Sequence, residues 1–378
     1  MTKYKPVRIT HVVTYASEDG AFGGPLAVAI EQTRELAALG HDVELVMGWD
    51  GRAAVSVPGV KVRLFRLRRL PRAGFSGMFS FAMQRYLSAS AGERDVLHVH
   101  LGRDLVTAPI ARQAVANRTP LFLQTHGMVS PDRRLRAVAF DRLYIKRALT
   151  EASSVLTLTD DEEKGIEVLS GGRSSTDRVT NGVSRATSAD GSRGQIHSHR
   201  IEILFLARLH PRKRVLTFAR AAAIVTQRLP LVDFTVVGPD EGDLDELREF
   251  IADNQLDQRL HYEGPISPGH ARARIAEASV YVLPSVGEVI PMSVLEALAA
   301  GTPTIITRSN GLAAVLEENQ AAVVIDDSPE ALAEAIEDLA GSASRRASLA
   351  TAGAQVVERS FSATAVAEHL ERIYEAHA

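Results

Sequence analysis

The sequence of 378 residues contains no cysteine. This absence excludes disulfide bonds, thiolate metal sites and a cysteine nucleophile, although it does not determine the compartment. No run of about 18 apolar residues occurs, so no segment is expected to span a membrane. The N-terminal residues also lack the long apolar core of a signal peptide. We therefore expect a cytoplasmic protein.

The chain also lacks a strong excess of charge of either sign, and it lacks two common nucleotide-binding motifs. The 43 Lys and Arg residues are balanced by 46 Asp and Glu residues, which gives a net charge of −3. No basic field would draw the chain to nucleic acid, so nucleic acid is not expected as a partner. The absence of G-x-G-x-x-G disfavours a dehydrogenase, and the absence of a Walker A motif disfavours an ATPase. No histidine cluster neighbours Glu288 and Glu296 in the sequence, so no metal site is predicted, and no cofactor is expected either.

The chain does contain a regular alternation of apolar strands and amphipathic helices. Its length exceeds one comfortable core, so two domains are expected. We predict a first lobe over residues 1–185, a polar linker over 186–200 and a second lobe over 201–361. The βα rhythm of both halves predicts an α/β protein with two Rossmann-like lobes.

The most informative stretch runs from Tyr281 to Thr307. It predicts a strand, a polar loop, a helix from about Pro291 and a second strand, with the helix ended by a left-handed glycine. Glu288 and Glu296 bracket the helix start. Separated carboxylates suit a ligand with hydroxyl groups at two places, and the helix N-terminus between them favours an anion. The alternative is one capping and one surface glutamate.

Three further positions suggest binding chemistry. Arg208 and Lys213 follow the strand over 201–207 and could neutralise a diphosphate, unless they form only a basic surface turn. His126 is placed at the carboxyl end of a strand, which is the functional edge of a parallel sheet, although a lone histidine is often structural. Gly23 and Gly24 precede a helix predicted over 26–39 and permit close approach of an anion, or form an ordinary turn.

The window 51–92 has eight basic residues and no acidic one. They are Arg52, Lys61, Arg63, Arg66, Arg68, Arg69, Arg72 and Arg85. One interpretation of this window is a solvated basic face. The other is a patch that binds an anionic acceptor or the inner face of an anionic membrane. An apolar helix is predicted over 75–83, beside the basic strand predicted over 60–67. Such a helix suits interfacial contact or core packing.

The residues from Glu288 to Pro303, EVIPMSVLEALAAGTP, resemble the E-x7-E signature of the retaining GT-B glycosyltransferases of family 4. Other marks of that family occur in the expected order along the chain. They are Gly23-Gly24, His126, Asn181-Gly182-Val183, Ala207-Arg208-Leu209 with Lys213, and Glu263-Gly264. The resemblance implies two Rossmann-like parallel-sheet lobes facing each other across a cleft. It also implies that a terminal helix over 362–378 crosses back to the first lobe.

The resemblance assigns roles to matching residues. Arg208 and Lys213 would hold the donor diphosphate, Glu296 the ribose, and Glu288 the transferred sugar, with His126 reaching that sugar from the first lobe. The predicted catalytic residues are Glu288, His126, Arg208 and Lys213. The predicted donor-binding residues are Gly23, Gly24, Arg208, Lys213, Gly264, Ile266, Glu288, Val289, Ile290, Pro291, Met292, Leu295 and Glu296.

The implied reaction moves a hexosyl unit from a nucleotide diphosphate sugar to an acceptor hydroxyl with retention of configuration and without a metal. The acceptor would be a carbohydrate or a lipid-linked glycan, in polysaccharide, glycolipid or glycoconjugate synthesis. The sequence departs from the common E-G-F-G form at Val289-Ile290-Pro291, which makes donor preference hard to assign. The alternatives are a nucleotide-sugar epimerase, a sugar phosphorylase or a non-catalytic nucleotide-sugar-binding subunit.

Overall fold

The computed structural model describes residues 6–16, 23–49, 51, 55–71, 74–184 and 200–377. The described residues up to 182, together with those from 363 onward, form one compact unit, and the described residues between 183 and 362 form a second. The predicted linker, apart from Arg200, lies outside the described residues, as do Arg52 and Arg72 of the basic window.

The first unit is built on a seven-stranded parallel sheet and a two-stranded antiparallel ribbon. Its strands are β1 (Arg8–Ala16), β2 (Asp42–Trp49), β3 (Lys61–Arg66), β4 (Arg68–Arg69), β5 (Met78–Phe79), β6 (Val96–His100), β7 (Leu121–Gln124), β8 (Ser154–Thr157) and β9 (Thr176–Arg178). The sheet order is β3-β2-β1-β6-β7-β8-β9, and β4 pairs with β5. All five residues of β6 are buried, as expected of a strand covered on both faces.

The second unit is built on a six-stranded parallel sheet. Its strands are β10 (Ile201–Leu206), β11 (Val232–Val237), β12 (Leu260–Gly264), β13 (Val280–Leu283), β14 (Thr304–Thr307) and β15 (Val323–Ile325). The order is β12-β11-β10-β13-β14-β15, so the chain reverses its direction of travel across the sheet between β10 and β13. Ligands of open parallel sheets bind outside the carboxyl ends of the strands at such a switch point.

Helices cover the faces of both sheets. Those of the first unit are α1 (Gly23–Ala38), α2 (Phe81–Ala89), α3 (Thr107–Ala116), α4 (Leu135–Phe140), α5 (Lys146–Glu151) and α6 (Asp160–Ser170). Those of the second unit are α7 (Val215–Arg228), α8 (Leu244–Asp253), α9 (Pro268–Glu277), α10 (Met292–Ala300), α11 (Ala313–Glu318), α12 (Pro329–Gly341) and α13 (Ala343–Ser360). The last helix, α14 (Ala363–Ala376), belongs to the first unit. Within the described residues, no helix combines the length and the apolarity that crossing a membrane requires.

Helix α14 packs onto the first unit, as predicted for the terminal helix. Its apolar stripe, which includes Leu370, Ile373 and Tyr374, is buried together with Ile9 of β1 and Phe122 of β7. The α/β class with two parallel-sheet units is likewise confirmed.

Several predicted element boundaries were wrong. Phe75 lies in a 3-10 turn and Phe79 in β5, so the apolar helix predicted over 75–83 begins only at Phe81, where the Ser80 hydroxyl caps it by accepting from Met83 N. Pro291 is not the first helical residue, because its ψ of 123° is extended and makes it the N-cap of α10. Gly301 ends that helix in the left-handed conformation, as predicted.

Candidate functional site

A partly buried ion pair joins the turn after β10 to the loop between β13 and α10. Lys213 Nζ donates to Glu288 Oε1 at 2.8 Å, and only 15% and 17% of the two side chains are exposed. Lys213 ends a 3-10 turn after β10, and Glu288 lies in the loop before α10. Burial lowers the pKa of Lys213, while Glu288 acts in the opposite direction. Two charges from neighbouring strand ends are therefore held together at the carboxyl edge of the second sheet.

Arg208 adds a second cation to this edge. Its Nη1 donates to Glu241 Oε2 at 2.6 Å, which joins the segment after β10 to the segment after β11. The Arg208 charge also contributes to the lowered pKa of Lys213, so the two cations lie within electrostatic reach of each other. The basic side chains at 208 and 213 therefore share one edge, as predicted, and each has an acidic partner there.

The basic turn after β10 is tied to the loop that carries Glu288. Arg212 Nη2 donates to Gly287 O at 2.7 Å, and Val286 N donates to Arg212 O at 3.0 Å. Arg214 turns away and binds Asp327 at 2.7 Å. The three consecutive basic residues therefore have different partners, since Arg212 binds the loop, Lys213 binds Glu288 and Arg214 binds Asp327.

Two glycines permit close backbone approach at this edge, and the sequence analysis missed both. Gly311 N donates to Glu288 O at 2.8 Å, and a Cβ at Gly311 would lie 1.9 Å from Val289 O. Gly238, with a φ of +147°, lies against Ala207, where a Cβ would be 1.9 Å from the carbonyl oxygen. Each glycine follows a strand of the parallel sheet, which is the one signal in the sequence that could have identified it.

Buried polar groups surround the two glutamates. Tyr281 Oη lies 2.8 Å from Ser293 Oγ and 3.2 Å from Leu206 O, and so joins β13, α10 and β10. Its burial, with the nearby Glu296 and Glu288 charges, raises its pKa, so Tyr281 keeps its proton. Glu296 itself is half-buried in the second turn of α10.

Two buried donors at the same edge have no partner among the described residues. They are Ser285 Oγ, just after β13, and Asn310 Nδ2, just after β14. Buried polar atoms are normally satisfied, so these two donors are exceptions among the buried polar groups of the second unit. The sequence analysis did not select either residue.

His126 is held in a strained turn after β7. Met128 N donates to Thr125 O at 2.8 Å, and the φ values of His126 (+51°) and Gly127 (+72°) are those of a type I′ turn. Positive φ is uncommon for a residue other than glycine and marks strain that the surroundings must sustain. The second central position of the turn is Gly127, and glycine adopts positive φ at no steric cost.

Glu162 of α6 sustains this turn. Its carboxylate accepts hydrogen bonds from the Thr125 hydroxyl, from Gly127 N at 2.6 Å and from Leu158 N at 2.7 Å. The side chain is buried, and the N-cap of its helix is Thr159. Glu162 therefore positions His126, which the sequence analysis did not predict.

The other predicted binding residues lie outside the cluster of charges formed by Arg208, Lys213 and Glu288. Gly264 ends β12 with a φ of +84°, and Ile266 follows it half-buried. The Leu295 side chain is fully buried in the interior of the second unit. Gly24, in the first turn of α1, faces open space, since a Cβ there would meet nothing within 4 Å. Gly23, Gly24 and His126 belong to the first unit and the remaining predicted residues to the second.

Family models of glycosyltransferases match both units of the chain. A family model described as "Glycosyl transferase 4-like domain" matches residues 23–182, and one described as "Glycosyl transferases group 1" matches residues 200–342. The D-inositol 3-phosphate glycosyltransferase of Salinispora tropica is 27% identical over 94% of this chain and 83% of its own. That of Paenarthrobacter aurescens is 32% identical over 36% of this chain, and the alignment spans only 35% of the relative's length.

Solved structures share the fold over nearly the whole chain. The crystal structure of HepE from Anabaena, in complex with UDP and glucose, has a TM-score of 0.74 and 17% identity, covering 98% of this chain and all of that one. Sucrose-phosphate synthase from Thermosynechococcus elongatus has a TM-score of 0.74 and 18% identity, covering 98% of each chain. Both units are thus matched by glycosyltransferase models, and the fold is that of GT-B proteins. The chain belongs to the GT-B glycosyltransferase family.

Proposed function

We propose that the protein is a retaining glycosyltransferase of family 4 that transfers a hexosyl unit from a nucleotide diphosphate sugar to an acceptor hydroxyl. The observation that carries the proposal is the Lys213–Glu288 ion pair beside Arg208 at the switch point of the second sheet. In this proposal the two cations would stabilise the charge of the departing diphosphate, and the carboxylate would accept hydrogen bonds from sugar hydroxyls.

Electrostatics explain what the cations would contribute. Cleavage of the donor builds negative charge on the leaving diphosphate, and preorganised positive groups aimed at that charge are usually the largest single catalytic contribution. Arg208 and Lys213 are preorganised because Glu241 and Glu288 already hold them. In this proposal they and the N-terminus of α10 stabilise the leaving group without a metal or other cofactor.

The two glutamates would recognise the two sugars of the donor. An ionised carboxylate accepts hydrogen bonds from hydroxyl groups, so Glu288 would bind the transferred hexose and Glu296 the ribose. Retention then follows if the diphosphate itself helps to deprotonate the acceptor on the same face. In the first unit, His126 would contact a hydroxyl group of the substrate.

The choice of ligands for a first test follows from the similar proteins. HepE has been solved with UDP and with UDP-glucose, and the curated relatives are named for transfer to D-inositol 3-phosphate. A phosphorylated polyol acceptor agrees with the anionic acceptor suggested by the basic window. The broader proposal is a carbohydrate or lipid-linked acceptor in glycoconjugate synthesis.

A thermal-shift screen over nucleoside diphosphates and their sugars, followed by a transfer assay, tests the function. A ligand at a hundredfold excess over its Kd stabilises the protein by about 2.7 kcal/mol, which gives a clear rise in Tm. We expect stabilisation by one nucleoside diphosphate and retained anomeric configuration in the product. Conversion of the donor to its epimer without any acceptor would instead establish an epimerase, and phosphorolysis a phosphorylase.

We also propose peripheral contact with the inner face of an anionic membrane through the basic window. Lys61 and Arg63 are paired with Asp42 and Glu44, so they contribute little net charge. The exposed positions that remain include Arg68 and Arg69 of β4, and the 66% exposed Phe81 begins the helix that follows β5. Basic residues flanked by an exposed aromatic ring suit an anionic interface.

Reversing two of these charges tests the contact. Each basic residue near an anionic surface is worth about 1 kcal/mol, so Arg68→Glu with Arg69→Glu should weaken co-sedimentation with anionic vesicles at least roughly thirtyfold. The matched control is Arg228→Glu with Arg345→Glu, two exposed positions of the second unit that should have no such effect. Equal binding of the parent protein to neutral and anionic vesicles would dismiss the proposal.

A further inference from the structure

Four histidines and a tyrosine form a cluster within the first unit, and all of them except the half-buried His126 are buried. Its members are His11 of β1, His98 and His100 of β6, His126 of the turn after β7, and Tyr374 of α14. The His98 and His100 rings stack at 4.7 Å, and the His100 and His126 rings at 5.0 Å. The function proposed above uses only His126, so the other four members have no role so far.

The imidazoles of the cluster are neutral at physiological pH. Burial lowers the pKa of His11 to about 3 and lowers the pKa of His126 similarly, while His98 and His100 also fall well below their ordinary pKa. A neutral imidazole has one N–H donor and one lone-pair acceptor. Each hydrogen bond between two such rings therefore fixes which nitrogen of each ring carries the proton.

The hydrogen bonds run in a continuous line from the tyrosine to His126. Tyr374 Oη lies 3.4 Å from His11 Nε2, and His11 Nδ1 lies 3.1 Å from His100 Nε2. His100 Nδ1 in turn lies 2.8 Å from His126 Nε2. Because both nitrogens of His11 and of His100 are engaged, all the donors in this line must point in the same direction.

Tyr374 sets that direction. Its Oη lies 2.6 Å from His98 Nδ1, a separation typical of an O–H donor and shorter than that of an N–H donor. The tyrosine keeps its proton, because burial raises its pKa, and so it donates to His98. Its oxygen then accepts from His11 Nε2–H, His11 Nδ1 accepts from His100 Nε2–H, and His100 Nδ1 accepts from His126 Nε2–H.

Two glutamine side chains fit this direction once both of their amides are reversed. Gln32 Oε1, His98 Nε2 and Gln124 Nε2 are buried without a partner among the described residues. Gln32 Nε2 meets Gln124 Oε1 at 3.1 Å, and Gln124 is the amide that acts on the pKa of His98. With both amides reversed, Gln124 Nε2 donates to Gln32 Oε1 and Gln124 Oε1 faces His98. That arrangement requires the Nε2–H form of His98, as does donation from Tyr374.

We propose that Tyr374, His11 and His100 are positioning residues that hold His126 in the Nε2–H tautomer, with Nδ1 as a hydrogen-bond acceptor for a hydroxyl group of the substrate. No described residue pairs with His126 Nδ1, and His126 as a whole is partly exposed. The part of the proposal that concerns substrate rests on the proposed function of His126. The tautomer itself does not.

The same histidines could be mistaken for a metal site. Ligand nitrogens of His11, His98 and His100 all lie within 4.8 Å of one another. Zinc–nitrogen bonds of about 2.0–2.1 Å place tetrahedral ligand nitrogens roughly 3.4 Å apart, longer than the 3.1 Å between His11 and His100. Both nitrogens of His100 are also already used within the line of hydrogen bonds. The geometry therefore favours the relay over a metal.

The tautomer is measured directly by long-range proton–nitrogen NMR of the full chain labelled with 15N-histidine. The His126 signals are identified by their loss in His126→Asn. In the parent protein without substrate we expect protonated Nε2 and unprotonated Nδ1. Protonated Nδ1, or fast averaging between the two forms, would overturn the proposal, as would one equivalent of tightly bound zinc in the purified protein.

Tyr374→Phe then tests the origin of the bias. This change removes the acceptor of His11 Nε2–H, so the line of donors loses its fixed direction and His126 should populate Nδ1–H. The matched control is Tyr86→Phe, which removes a hydroxyl that lies 2.7 Å from Glu44 in the same unit and leaves the cluster intact. An unchanged His126 tautomer in Tyr374→Phe would overturn the proposal.

Kinetics separate the two layers of the inference. We expect Tyr374→Phe to lower kcat severalfold without changing the affinity for nucleoside diphosphate, because the cations proposed to bind it lie in the second unit. If the tautomer shifts and kcat does not, the relay stands and the proposed contact between His126 and the substrate fails.

Discussion

Glu288→Gln should lower the turnover of glycosyl transfer by at least roughly tenfold while the protein remains folded. Glutamine keeps the shape of the side chain but loses the charge that pairs with Lys213 Nζ at 2.8 Å. The lysine is then a partly buried cation without its partner, and the charge of a bound diphosphate can replace the lost carboxylate. We therefore expect unchanged or tighter binding of the nucleoside diphosphate together with slower turnover.

This separation between binding and turnover identifies the role of Glu288. Turnover is measured by transfer from the preferred donor, and nucleotide affinity by calorimetry. The control is Glu337→Gln, which removes a carboxylate from the exposed pair with Arg228 at 2.9 Å and should change neither quantity. Turnover at the level of the parent protein in Glu288→Gln would show that this carboxylate does not act on the transferred sugar.

Gly238→Ala should destabilise the second unit by about 3–5 kcal/mol, through backbone strain and overpacking together. The φ of +147° is unfavourable for alanine, and its Cβ would lie 1.9 Å from Ala207 O. The segment after β10 must move to relieve this contact, and Arg208 moves with it. We expect a markedly lower Tm and weaker nucleotide binding in whatever fraction of the variant folds.

Gly242→Ala is the matched control for this effect. Gly242 also has a positive φ, of +124°, but a Cβ there would meet nothing within 4 Å. It should therefore show the conformational cost alone, on the order of 1 kcal/mol. Equal losses of stability in the two variants would mean that the close approach to Ala207 does not contribute.

Local signals in the sequence explain which parts of the fold were predictable. The end of α10 was identified correctly, because Gly301 and Pro303 stop a helix through their own backbone preferences. The 18-residue helix α13 was missed, because its small and polar residues give little apolar periodicity. Its position depends on tertiary packing, for example where Gly353 lies against Leu298.

In the candidate site, too, only the residues with local signals could be predicted from the sequence. The pattern around Glu288 and the two basic positions could be read locally, but the Glu241 partner of Arg208 depends on the adjacency of β10 and β11. The histidine cluster depends in the same way on register, since His11 lies directly opposite His98 in the sheet. Pairings between distant segments leave no spacing that a single sequence reveals.

The return of α14 to the first unit has a consequence for folding during synthesis. Residues up to 182 leave the ribosome well before Tyr374, and the whole second unit is made in between. At about 5–20 residues per second, the wait is on the order of ten to forty seconds. During that interval His98 lacks its hydroxyl partner, and the surface around Ile9 and Phe122 lacks its covering helix. The nascent first unit therefore exposes this apolar surface until α14 has been made, and a chaperone that covers the surface would protect it during that interval.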